Sequence, residues 1–164
     1  MTGDFVLGDN EFIAPDAVFG VVRTYAGKGG GGAIFLGLAK QRLPRIRPTL
    51  LEQTPVASLK FAFLERVLTF SSAPLIPLRS DAVPLVDLRL RGAPIATYAC
   101  RVSRLIMNGQ TLRVDRPVVA IIDTGTTGLS ISESLYCSNM IPPSIRNARI
   151  EFKTERGRTS AVEA

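Results

Sequence analysis

The residues best equipped for chemistry are Asp123-Thr124-Gly125-Thr126-Thr127, a carboxylate followed at once by small hydroxyl side chains and a glycine. The five residues before it, Val118 to Ile122, are apolar, mostly β-branched and too few for a typical helix. They predict a strand buried on both faces, with Asp123 where it runs out. Gly125 would let the backbone approach closely in the turn. Leu129-Ser130-Ile131-Ser132 then alternates apolar and polar, as a half-buried return strand does. Together these describe a carboxylate held on a stiff loop between two strands. The plainer alternative is a turn in which Asp and Gly serve only as loop punctuation.

Composition narrows what that carboxylate could do. The chain contains no histidine, which removes imidazole metal sites and Ser-His or Cys-His nucleophilic chemistry. Acid–base work falls on carboxylates, lysine or tyrosine, and no cofactor or metal is expected. Cys100 and Cys137 permit one disulfide without requiring it, and buried thiols would serve equally well. The 164 residues suffice for a real core, and 46% hydrophobic residues with a mean hydropathy of +0.20 argue against disorder. No apolar run reaches the ~18 residues of a membrane span. Met1-Thr2-Gly3-Asp4 has neither a basic start nor an apolar core, so no signal peptide is expected there, although a longer form could carry one upstream; the compartment stays open. Of the 20 basic residues behind the net charge of +6, 16 are arginines, with Arg42, Arg45 and Arg47 closest together. They are otherwise scattered and aromatics are few, so neither a nucleic-acid nor a membrane partner is expected.

The elements that would position the loop can be taken in chain order. Phe5 to Gly8 and Ala17 to Val22 predict two short strands around a polar turn containing Asp9, Asn10 and Pro15. Gly27-Lys28-Gly29-Gly30-Gly31-Gly32 fits a dinucleotide fingerprint only because any glycine run does, and the phosphate-binding P-loop pattern fails at Val22 and Gly29. A surface loop is the expected role. Ala33 to Leu38 is an apolar run broken by Gly37, and Pro48 to Gln53 suits a short helix. Leu59 to Phe63 and Val67 to Phe70 predict a hairpin turning at Glu65-Arg66, and Leu85 to Leu90 is strand-like within a proline-punctuated stretch. Tyr98 to Met107 and Thr111 to Val114 flank Asn108-Gly109, the strongest two-residue hairpin signal, because both turn residues need positive φ. Ser132-Glu133 can start a helix through Leu135 and Tyr136. Ala148 to Thr154 alternates cleanly and turns at Glu155 to Arg158 into a return strand that the sequence leaves short.

The apolar run with Asp-Thr-Gly-Thr-Thr, entered from an Asn-Gly hairpin and followed by a helix start, resembles the catalytic loop in the C-terminal lobe of the pepsin-like aspartic proteases. Phe19-Gly20-Val21-Val22, a variable loop and then Phe35-Leu36-Gly37-Leu38 resemble, in the same order, the end of that family's N-terminal lobe. The resemblance implies a mainly β chain, part of a bilobal acid-protease β-barrel fold with short helices. Residues 1–55 would close the N-terminal lobe and residues 56–164 would open the C-terminal lobe.

It also implies an aspartic-type endopeptidase in which Asp123 is one of two proton-sharing catalytic carboxylates. Thr124 and Gly125 would aim it, Thr126 would link the two loops through its hydroxyl and Thr127 would support the loop. None of Asp4, Asp9, Asp16, Asp81, Asp87 and Asp115 is followed by Thr-Gly or Ser-Gly, so the second catalytic loop is not encoded here. Three expectations follow: a fragment of a pepsin-like enzyme, inactive alone and needing the remainder of the protease; a one-loop enzyme completed by a second copy, acting on peptide or protein substrates; or a non-catalytic β-rich binding domain of the same fold.

Overall fold

A computed structural model describes residues 2–7, 12–21, 36–77, 79–114, 116–126, 128–139 and 146–163. The chain is mainly β, with one α-helix and two 3-10 turns among these residues, and none of their sheets closes into a barrel. It divides into two compact units, residues 1–78 with 89–96 and residues 79–88 with 97–164. The hairpin after Thr54-Pro55 thus groups with the first unit, whereas the lobe boundary expected from sequence precedes it.

In the first unit, β1 (Thr2–Leu7) and β2 (Phe12–Val18) form an antiparallel hairpin. This corrects the expected bounds, for Pro15 lies inside a strand and Phe19–Val21 outside one. The register slips between Gly3 and Phe5, where Asp16 takes φ 53° and its N–H donates to Asp4 Oδ1 at 3.2 Å. A bulge of this kind, in a strand with one partner among the described residues, tolerates a proline. The glycine run and Ala33–Phe35 lie outside the described residues, and Leu36–Leu38 is not a strand.

β3 (Gln41–Arg42) pairs β6 (Ile95–Ala96). The expected short helix is a 3-10 turn, Leu51–Gln53. Thr49 and Glu52 bond reciprocally across its start, Glu52 N to Thr49 Oγ1 at 3.2 Å and Thr49 N to Glu52 Oε2 at 2.9 Å, as a capping box does. β4 (Ser58–Ala62) and β5 (Val67–Ser71) form the expected second hairpin. Leu85–Leu90 holds no strand: Leu85 makes one bridge to Cys100, and Leu88–Arg91 is a 3-10 turn.

The second unit is built on β7 (Ala99–Met107). The turn at Asn108 and Gly109, with φ 48° and 79°, sends the chain back through β8 (Gln110–Thr111). β9 (Val119–Ile121) then pairs the first third of β7. β10 (Ala148–Lys153) and β11 (Thr159–Glu163) extend the sheet, and β11 pairs β10 from Lys153 back to Arg149. Leu105, Met107 and Ala148 are buried on one face, with Val102, Leu112, Ile131, Ile150 and Leu135 of α1 (Glu133–Asn139) against them.

On the other face lies an ion network. Glu151, 5% exposed, accepts from Arg104 Nε at 2.8 Å and Nη2 at 3.0 Å and from Arg149 Nε at 3.1 Å; Arg149 also reaches Glu163 at 2.7 Å. The two guanidinium groups, Arg104 first, hold the Glu151 carboxyl down to about 2.

Candidate functional site

Backbone bonds carry the catalytic candidate from the sheet outward. Val102 N–H donates to Val118 O at 3.0 Å and Ile122 N–H to Tyr98 O at 2.8 Å, so the approach to Asp123 is tied on both sides of β9 to β7 and to Tyr98 just before it. Asp123 stands just past the last of these bonds and faces solvent. The carboxylate is therefore at the mouth of a rigid strand, as expected, but the strand is shorter and less buried than expected. Ile121 is 55% exposed and Ile122 46%, and among the described residues β9 pairs only β7.

Each carboxylate oxygen has its own donor from the loop. Gly125 N–H gives Oδ1 a bond of 2.9 Å and the Thr126 hydroxyl gives Oδ2 one of 2.7 Å. Thr126 N–H meets Asp123 O at 3.3 Å, closing the turn. Thr126 thus spends its hydroxyl within its own loop, while Thr124 occupies the turn and Thr127 lies outside the described residues. A Cβ on Gly125 would sit 3.3 Å from Asp123 Oδ1, tighter than ordinary contact, so a larger residue would press on the carboxylate. The two donors, Thr126 before Gly125, hold the Asp123 carboxyl below its usual value.

That shift makes a prediction with a definite sign. Because the folded carboxyl is the stronger acid, the loop's stabilisation is present above the ordinary value and is lost as pH falls through the lowered one. Thr126→Val should move the Asp123 titration upward while the Gly125 bond remains. A carboxylate NMR titration checks it, and an unmoved midpoint would show that the hydroxyl bond is unimportant.

Sequence reasoning missed what lies beside the loop. A cavity of about 420 Å³ opens between β7, β9 and α1, lined by Asp123 and Thr126 at one edge and by apolar side chains including Ile122, Leu129, Ile131 and Leu135. Leu129–Ser132 is not a strand, since it joins no sheet among the described residues, yet its alternation survives as Ile131 turned to the core. Gly128, with φ 90°, bends the chain into this stretch. The helix expected from Ser132-Glu133 is present as α1 and supplies Leu135. Among the described residues no other acidic side chain lines the cavity, and no three metal-ligating side chains come together. Cys100 is buried and Cys137 exposed, and neither is in a disulfide. No protein-family model, no curated protein and no solved structure matches this chain.

Proposed function

We propose that Asp123 is one half of the carboxylate pair of an aspartic-type endopeptidase of the pepsin-like kind, the other half coming from polypeptide outside this sequence. The observation that supports it best is the loop itself: a solvent-facing carboxylate at the end of a sheet-anchored segment, with one donor on each oxygen from residues two and three places on. Those donors favour the ionised acid, the form that takes a proton from a bound water as the water attacks a peptide carbonyl. A neighbouring protonated carboxyl would polarise that carbonyl, and two such groups in one site share a proton because both cannot ionise easily. Water is the nucleophile throughout, so no covalent intermediate is needed. The bilobal acid-protease fold belongs to the same proposal, which the open, mainly β second unit accommodates.

Cleavage of a denatured protein substrate at acidic pH, measured with wild type and Asp123→Asn, tests the reading. On this proposal the chain alone is inactive, and joining it to a polypeptide with a second Asp-Thr/Ser-Gly loop produces pepstatin-sensitive cleavage that Asp123→Asn abolishes. Asp123-dependent cleavage by the chain alone, with a dimeric mass, would instead favour completion by a second copy. Failure of every complemented form would leave a non-catalytic β domain.

A further inference from the structure

A second hollow, of about 590 Å³, adjoins the cavity beside Asp123, and Val118, Val119, Ser132 and Leu135 are walls of both. Charge is segregated between the two. Asp123 is the only charged side chain on the first, whereas the second carries the exposed Arg113 and Arg116 and, among the described residues, no carboxylate. Ser132 and Ser134, with their hydroxyls 3.4 Å apart, also line it. Glu133, between them in sequence, is exposed and does not line the hollow, and Asp115 lies outside the described residues.

The strand leading to Asp123 sets the distance between the two charges. Val118 O accepts from Val102 N–H and Ile122 N–H donates to Tyr98 O, with Arg116 just before the first of these ties and Asp123 just after the second. At a rise of about 3.3 Å per residue, the stretch from Arg116 to Asp123 spans up to about 23 Å. An extended peptide laid along that length would bring to the arginines a side chain about five to seven residues from the bond at Asp123. A guanidinium has five N–H donors in a fork that matches a carboxylate, so Arg113 and Arg116 can receive an acid while keeping bonds to neighbours. The serine hydroxyls can donate to it as well. A basic side chain at the same place would meet two like charges. We infer that Arg113 and Arg116 are specificity-determining residues that select peptides carrying an acidic side chain to this side of the cleaved bond. Their part in cleavage rests on Asp123 being a catalytic carboxylate, whereas their binding of the acid does not.

Binding to the full chain at low salt tests this by fluorescence anisotropy. The probes are peptides of about ten residues, enough to span the trough, with an apolar middle, a neutral dye and a pair of glutamates at one end or the other. The same peptides with glutamine or lysine in place of glutamate serve for comparison. One glutamate peptide should bind about tenfold tighter than its glutamine counterpart, and the difference should shrink in high salt. Arg113→Gln with Arg116→Gln should abolish the preference, and Arg113→Glu with Arg116→Glu should transfer it to the lysine peptide. Asp123→Asn should leave it in place. So should Arg45→Gln with Arg91→Gln, which removes equal charge from exposed positions in the other unit. No preference for glutamate in the wild type, or equal loss in the two glutamine pairs, would overturn the inference, the latter in favour of general attraction to a basic chain. In a complemented enzyme, Asp123-dependent cleavage indifferent to the acid would also overturn it while leaving the peptidase proposal intact. A surviving preference with no cleavage in any complemented form would count against that proposal alone.

Discussion

Leu105→Ala should lower the unfolding free energy of the second unit by about 2–5 kcal/mol, the range for truncating a buried leucine. Leu105 is buried on the central strand with Met107 and Ala148, and it also lines the cavity beside Asp123. Truncation would enlarge that hollow, and where the loss falls in the range depends on how far the neighbouring side chains collapse into it. Because the chain has two units, one global signal could mix two transitions. Cys100 offers a local probe: it is buried on the same strand, and burial pushes its thiol up, so it should react only when the unit opens. Denaturant-dependent labelling of Cys100, in a Cys137→Ser background, reads the second unit alone. Leu64→Ala in the other unit, at a nearly fully exposed position, should leave that midpoint in place. A Leu105→Ala midpoint equal to wild type would mean that the core is elsewhere.

Glu151→Gln should be the most damaging charge change in the same unit and should also alter its response to acid. The carboxylate is buried between two guanidinium groups, and neutralising it leaves two cations facing each other across strands β7 and β10. A fall in Tm of roughly 5 °C or more at neutral pH is expected, against little change for Glu163→Gln, whose partner is exposed. The sign follows from the folded carboxyl standing at about 2 against an ordinary 4.5. Its stabilisation is complete above about 4.5 and falls away as pH drops from there through about 2. Melting curves across that window should slope steeply for wild type and less for Glu151→Gln; parallel curves would remove this network as the source.

The parts of this structure legible in the sequence are those set by neighbours along the chain. Asn108-Gly109 announces a turn with two positive φ angles, and the structure has both. The alternation in 59–70 and 148–154 likewise specifies strands whose partners lie across a short turn. Asp123 at the end of an apolar run was legible for the same reason. Distant partners decided what was not. Five apolar residues before Asp123 suggest burial on both faces, yet burial needs a second layer, and the exposure of Ile121 and Ile122 shows that none covers them among the described residues. Glu151 finds Arg104, 47 residues away, only through the pairing of β10 with β7, which no local pattern encodes. Pro15 reads as a turn residue until the bulge beside Asp16 is known.

The exposed thiol of Cys137 on α1 bears on how any assembly should be interpreted. Two molecules stored in air could be joined there covalently, giving a doubled mass without a second Asp123 coming anywhere near the first. Only under reducing conditions, or with Cys137→Ser, does a dimeric mass speak to whether two copies complete one another.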